Sequence, residues 1–413
     1  MEMKHHSILR KPEFFCLLGV AFFLPMLEAP KNLFLTAYVA LWFVRCFREG
    51  SYGGRWRIVD TVIAALWLSG LIGANFAGIH GAEWKGFGDV SRYLLLLWCL
   101  SRSGYGKTQW LKLSVVLVAS CLLTLGYGAW ALYSGTTGRP HLELNSVGHV
   151  NHTGTYLAIL CAILLSLLLT FWPSWSWGSR GLTVIAFLLV FSGLLTGASR
   201  GAIGAFLLVP LMLGVAWIPK SKRPLQVMVV SLLGFVVIGI AGNLGVVEKQ
   251  RGYIERNDPL SHRDTIWRRA MVIADIYPVF GAGMGNFAKV SDEAIAEQVN
   301  KNGQEYESAR YLGHAHAHSL YFNTLAERGW VGSGVFFASL LACLWMLISK
   351  RPKAADEAYV WAAWGASLAS WVVIMASGLF NTSFHHEMAL LAVMPFGAWV
   401  SMTCRAEAHP LAA

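Results

Sequence analysis

Apolar stretches recur from one end of this chain to the other, separated by short polar connections. A helical run of about 15 to 22 apolar residues crosses roughly 30 Å of hydrocarbon at about 1.5 Å per residue. The pattern predicts twelve such spans, at 13–29, 31–44, 58–76, 92–101, 112–134, 153–171, 182–196, 202–217, 225–246, 330–349, 358–380 and 388–403. The fourth is short, and the glycine-rich stretch before it invites extension backwards. The expected fold is all-α: a polytopic membrane protein of about twelve transmembrane helices.

One connection differs from the others. Residues 247–317 form a polar segment with nine basic and ten acidic residues, and a loop of that length in a compact protein carries function or structure of its own. It divides the chain into residues 1–246 with spans one to nine, the loop at 247–317 with amphipathic helices, and residues 318–413 with the last three spans and a short tail. With the N-terminus in the cytoplasm, most Lys and Arg of the short segments fall on the cytoplasmic side, as the positive-inside rule requires. The clusters are Arg45, Arg48, Arg55 and Arg57; Lys220, Lys222 and Arg223; and Lys350, Arg351 and Lys353. Both termini are then cytoplasmic and the long loop lies outside, where segments 77–91 and 135–152 are placed to fold against it. The first apolar segment has no small-residue cleavage site and is followed at once by another span, so it reads as an anchor.

Composition agrees with this reading. The chain is 55% hydrophobic and 14% charged, with a mean hydropathy of +0.50, more apolar surface than a soluble fold can hide. The net charge of +10 is spread in clumps between spans rather than along one face, which argues against a nucleic-acid partner. The seven cysteines lie in or beside apolar spans and show neither a disulfide framework nor zinc spacing. No nucleotide-binding motif is present, which disfavours ATP-driven transport.

Candidate chemistry gathers on the outer side. Ser261-His262-Arg263-Asp264 has the Ser-x-x-Asp form that caps a helix, predicting one from about 262 to 276, ended by Pro278 and Gly281. Arg263, Trp267, Ala270, Met271 and Ala274 share one face of it, to lie on the membrane surface or against the bundle. Gly281 to Phe287 follows a helix and no predicted strand, so it reads as a tight turn rather than a dinucleotide loop. In Thr196 to Ala202, Ser199 is placed to cap span eight and Arg200 to stand at a helix N-terminus, which favours an anion; the competing reading is an arginine that reaches the headgroups. Arg200 and Arg263 together would clamp a diphosphate, since guanidinium matches phosphate oxygens bidentately. His314, His316 and His318 stand at the outer membrane surface. In an extended segment all three share a face, which leaves a metal site open. If a helix begins near 318, His318 alone is held at the head of a membrane element, where a neutral imidazole accepts a proton from a sugar hydroxyl.

Together these pieces resemble the O-antigen ligase and polymerase superfamily of bacterial envelope glycosyltransferases, over roughly residues 140 to 350. His318-Ser319-Leu320-Tyr321-Phe322, followed by Glu327, Gly329 and Gly332, is similar to the family's His-Asn-x-Tyr-Leu and Glu-x-Gly-x-x-Gly pattern, with Ser319 for Asn and Phe322 for Leu. Ser199-Arg200-Gly201 resembles its Ser-Arg-Gly element. Arg263 and Trp267, then Pro278 and Gly281 to Gly285, resemble its periplasmic Arg-x-x-x-Trp and Pro-x-x-Gly-x-Gly portion, and Gly148 to Thr153 a further, weaker element.

The resemblance implies transfer of a glycan from undecaprenyl diphosphate to a sugar hydroxyl at the periplasmic face of the inner membrane. In the ligase branch the donor is lipid-linked O-antigen and the acceptor lipid A-core oligosaccharide. On that expectation Arg200 and Arg263 hold the diphosphate, His318 is the general base, and neither metal nor cofactor is needed. His316, Trp267 and Arg268 are further candidates beside them. Lys85, Arg92 and Arg139 are weaker candidates for anionic core or lipid groups. A polymerase, a protein O-oligosaccharyltransferase and a lipid-linked-glycan transporter are the competing expectations.

Overall fold

The computed structural model describes residues 9–136, 141–197, 199–221 and 260–408, with isolated residues 226, 228, 229, 252 and 255. The described residues form helices and turns without strands. In chain order the α-helices are α1 (Arg10–Phe23), α2 (Glu28–Glu49), α3 (Ile58–Asn75), α4 (Glu83–Ser101), α5 (Lys107–Ser134), α6 (Val150–Phe171), α7 (Trp177–Thr196), α8 (Arg200–Trp217), α9 (Arg263–Ile276), α10 (Asp292–Lys301), α11 (Leu320–Ser349), α12 (Ala358–Ser377) and α13 (His386–Ala408).

Seven of these, α3, α5, α6, α7, α8, α11 and α12, are long and apolar enough to cross a membrane. The expected spans at 31–44, 92–101 and 388–403 are helical, within α2, α4 and α13, but fall outside that set. The span at 225–246 and the residues Lys222 and Arg223 lie outside the described residues. α4 does run back through the glycine-rich stretch, to Glu83. The first span is corrected: no helix covers 13–29. α1 stops at Phe23 because Pro25 follows its cap and has no N–H with which to continue the ladder. Pro30 then sits in the first turn of α2, where a missing N–H costs nothing.

α6 and α12 form the centre of the bundle. Every residue from Tyr156 to Ala162 is fully buried, so α6 meets neighbours all round, as an all-apolar helix must. Small residues permit the close approach: a Cβ on Gly365 of α12 would stand 2.5 Å from both Ser166 Oγ and the Trp217 ring, and the Ser166 hydroxyl donates to Ala362 O at 3.0 Å. Several basic residues of the expected cytoplasmic side brace helix ends. Arg45 meets Glu13 at 2.5 Å, Tyr105 OH donates to the same carboxylate at 2.7 Å, and Arg102 holds Asp60 at 2.6 Å.

Residues 260–317 build a separate small core, with Ile273, Phe287 and Ile295 fully buried. Buried Arg269 of α9 ties three of its segments together, through an ion pair to Asp292 and bonds to Val290 O at 2.5 Å and Tyr311 O at 3.3 Å. This unit docks on α11 at a break. Gly329 interrupts the helix with φ 60° and ψ −170°, which opens backbone groups to residues 278–283: Trp330 N–H donates to Pro278 O at 2.8 Å, Ala282 N–H to Ala326 O at 2.9 Å and Gly283 N–H to Glu327 O at 3.0 Å. The expected tight turn at 281–287 is thus a docking turn. A side chain would prevent it, since a Cβ on Gly281 would lie 2.3 Å from the Glu327 carbonyl carbon and one on Gly329 2.4 Å from Val279 O. Segment 77–91 packs on the same turn, with Gly78 N–H to Gly281 O at 3.0 Å and Ile79 N–H to Ala282 O at 3.1 Å.

Candidate active site

Arg200 is the first residue of α8, and Ser199 is its N-cap position. The Ser199 hydroxyl does not cap the helix. It reaches Asn151 Oδ1 on α6 at 3.1 Å, and the two helices touch so closely that a Cβ on Gly154 would lie 2.6 Å from that of Ser199. The Arg200 guanidinium donates to Ser261 Oγ at 2.6 Å. This corrects the expectation that Ser261 caps α9. Ser261 and His262 both take positive φ, 55° and 58°, and no side chain caps that helix; the hydroxyl is turned to the arginine instead.

α9 runs from Arg263 to Ile276, as the pattern predicted, and places Arg263 at its head. Arg263 Nε donates to Phe380 O at 3.2 Å and Nη1 to Leu260 O at 3.1 Å. One turn on, Trp267 stacks on Phe322 with ring centroids 5.1 Å apart, so the Arg-x-x-x-Trp element packs on the His-Ser-Leu-Tyr-Phe element. Arg268 beside it is exposed.

His318 sits two residues before α11. It is fixed from the α12–α13 connection, because Leu320 N–H donates to Gly378 O at 2.7 Å and Ser319 Oγ donates to the same oxygen at 3.3 Å. The alternating extended arrangement of the three histidines does not occur: His318 has φ 48°, which folds its ring back to 4.3 Å from both His314 and His316. His318 Nε2 lies 3.0 Å from His314 Nδ1, and His316 Nδ1 accepts the His318 backbone N–H at 3.2 Å. Among the described residues no group of three His, Cys, Asp or Glu has the geometry to hold a metal ion. Burial, then the neighbouring His316, His314, Arg263 and His149, hold the His318 imidazole down to about 3. His316 is lowered to about 4, by burial first and then by His314 and His149. Both rings are therefore neutral at neutral pH.

A cavity of about 780 Å³ opens between these elements, and Arg200, Arg263 and His318 all stand on its wall. The three principal residues expected from sequence are brought together; among the described residues the other candidates are not on this wall. His316 packs behind His318, against the His152 ring at 5.8 Å. Lys85 is exposed on α4, Arg92 pairs with Asp89 at 2.8 Å, and Arg139 lies outside the described residues. The wall also includes Asn151, His149, His314 and Asn381. Asn151 falls in the weak Gly148 to Thr153 element, so a sequence signal for it existed. Asn381 carried none, since it comes from a connection with no chemical pattern of its own.

The class of protein is clear at this point: a helical, multi-pass membrane protein with an arginine- and histidine-lined cavity where a polar unit docks on the bundle. Residues 185–337 match a family model described as O-Antigen ligase, which supports membership of the O-antigen ligase and polymerase superfamily. An uncharacterized protein of Haemophilus influenzae (strain ATCC 51907 / DSM 11121 / KW20 / Rd) is 24% identical over 177 residues, 39% of this chain and 42% of its own. The chain thus matches less than half the length of that curated relative.

Proposed function

We propose that this protein is an O-antigen ligase: a glycosyltransferase that moves lipid-linked polysaccharide from undecaprenyl diphosphate to a sugar hydroxyl of lipid A-core at the periplasmic face of the bacterial inner membrane. The observation that carries the reading is the single cavity with Arg200, Arg263 and His318 on its wall. Two guanidiniums suit a diphosphate because they stay charged and offer paired donors in a fixed plane. They would stabilise the charge that grows on the leaving diphosphate, the electrostatic work that dominates much of enzyme catalysis. The arginines supply that charge without a divalent ion, and a single displacement by the acceptor hydroxyl inverts the anomeric carbon.

His318 is the general base. Arg263 is one of the causes that hold its basicity down, and a diphosphate bound between the arginines offsets that charge. Donor arrival then raises the affinity of His318 for a proton, so the base strengthens when there is something to transfer. The lipopolysaccharide profile of a deletion strain tests the reading. A ligase leaves bare core with accumulated lipid-linked polymer, whereas core bearing a single repeat unit would assign a polymerase instead.

A further inference from the structure

The proton taken from the acceptor must leave His318 before the next turnover, and the neighbourhood of that ring is unusual. Its Nε2 is engaged by His314, 3.0 Å from Nδ1 and 3.4 Å from Nε2 of that ring. Its Nδ1 is buried and has no hydrogen-bond partner. His314 is exposed, shares the cavity wall with His318, and belongs to the Gly313–Ala317 approach rather than to a helix. The other groups facing His318 cannot accept a proton in the same way. Arg263 from α9 is a permanent cation, and His316 Nδ1 is occupied by the His318 backbone N–H. His149, at the head of α6, already has its Nδ1 accepting from Asn151 N–H at 3.3 Å.

We infer that His314 is a positioning and proton-relay residue for His318, selecting the tautomer of the base and passing its proton to solvent. Resting on the functional reading above, the step balances as follows. His318 keeps its own proton on buried Nδ1, which leaves the Nε2 lone pair, on the side of His314, for the acceptor. The acceptor O–H bond breaks and its proton goes to His318 Nε2 as the new glycosidic C–O bond forms and the anomeric C–O bond to diphosphate breaks. His318 then gives that Nε2 proton to His314 Nδ1 and returns to its starting tautomer. Exposed His314 releases the proton on its own Nε2 to water, and its ring protons re-equilibrate with solvent. The direction follows from the surroundings: Arg263 offers no lone pair and His316 Nδ1 is already engaged, whereas His314 faces water.

Because His314 is exposed, a small molecule can stand in for it, as at other solvent-facing proton relays. The full-length protein in nanodiscs, as wild type, His314→Ala, His314→Gln and His318→Ala, would be assayed for transfer from undecaprenyl-diphosphate-linked glycan to core oligosaccharide. Turnover of His314→Ala should fall by about a hundredfold, the scale of a lost acid–base contribution, with KM for both substrates and binding of undecaprenyl diphosphate unchanged. Added imidazole should restore His314→Ala but not His318→Ala. His314→Gln, which accepts a hydrogen bond but passes no proton, should be as slow as His314→Ala. Turnover at the wild-type rate in His314→Ala, loss of undecaprenyl diphosphate binding in it, or absence of imidazole rescue would each overturn the relay. If the wild-type protein itself transfers nothing, the functional reading has failed and the relay falls with it.

Discussion

The helical bundle and the unit at 260–317 reach burial by different physics. In the bundle, α6 and α12 are apolar on all sides, and lipid offers no hydrophobic gain for bringing them together. Their association rests on close approach at small residues, as at Gly154 and Gly365, and on hydroxyls that bond neighbouring carbonyls, as at Ser166. The unit at 260–317 instead gathers Ile273, Phe287 and Ile295 beneath charged helices, the arrangement that water drives, with buried Arg269 pinning its loops. The difference matters because the site belongs to neither. Arg200 comes from the bundle, Arg263 from the unit and His318 from the connection between them, so alignment depends on how one region docks on the other.

The sharpest break in that comparison touches the seam chemically and leaves both regions intact. His318→Ala should reduce transfer by at least about a hundredfold while the protein stays in the membrane with an unchanged proteolysis pattern; normal ligation in that variant would remove His318 from the mechanism. Gly329→Ala attacks the docking itself. A Cβ there meets the 279 carbonyl on a backbone of positive φ, a conformation that costs a non-glycine residue of order 1–3 kcal/mol. Transfer should fall strongly, and residues 260–317 should become protease-sensitive while the bundle remains resistant; equal sensitivity in both would mean that the regions are not separable.

Arginine to lysine changes should have smaller effects that differ between the regions. Arg263→Lys loses both the fork for phosphate and the Nε bond that holds Phe380 O, so it should impair transfer more than Arg200→Lys, each by roughly tenfold or more. Undiminished rates in both would argue against a bidentate clamp. The mildest perturbation is pH. His318 and His316 are held near 3 and 4 against an ordinary value of 6.5, so between those limits the unfolded chain binds more protons than the folded one. The stability these rings contribute is complete above 6.5 and is lost as pH falls towards 4 and below. Thermal unfolding followed across that window should show the decline, and His316→Gln should flatten it.

How much of this was legible depended on whether a feature is local. Apolar runs announced the helices, because they are written in consecutive residues. α9 was readable to within a residue, yet its cap was not: Ser261 had a competing partner in Arg200, sixty-one positions away in sequence, and no local pattern reports that. The same reason separates the outcomes for the site. Arg200, Arg263 and His318 lie in motifs and meet on one cavity wall, while Asn381 enters that wall because the α12–α13 connection is drawn in by Leu320 and Arg263. For the three histidines the pattern left open an alternating extended segment or a helix beginning near 318; the helix begins at Leu320, and the positive φ at His318 that folds the rings together is a tertiary effect of the anchorage to Gly378.

That anchorage bears on how the protein can be dissected. The stretch that matches the family model, 185–337, holds both arginines and the histidine, but the cavity wall is completed by Asn151 before it and by Phe380 and Asn381 after it. An excised fragment of those limits would keep the reactive side chains and lose the enclosure that orients them. On the proposed function, engineering of donor or acceptor preference has to work on the intact chain, and the two flanking segments are where pocket shape can be altered without touching Arg200, Arg263 or His318.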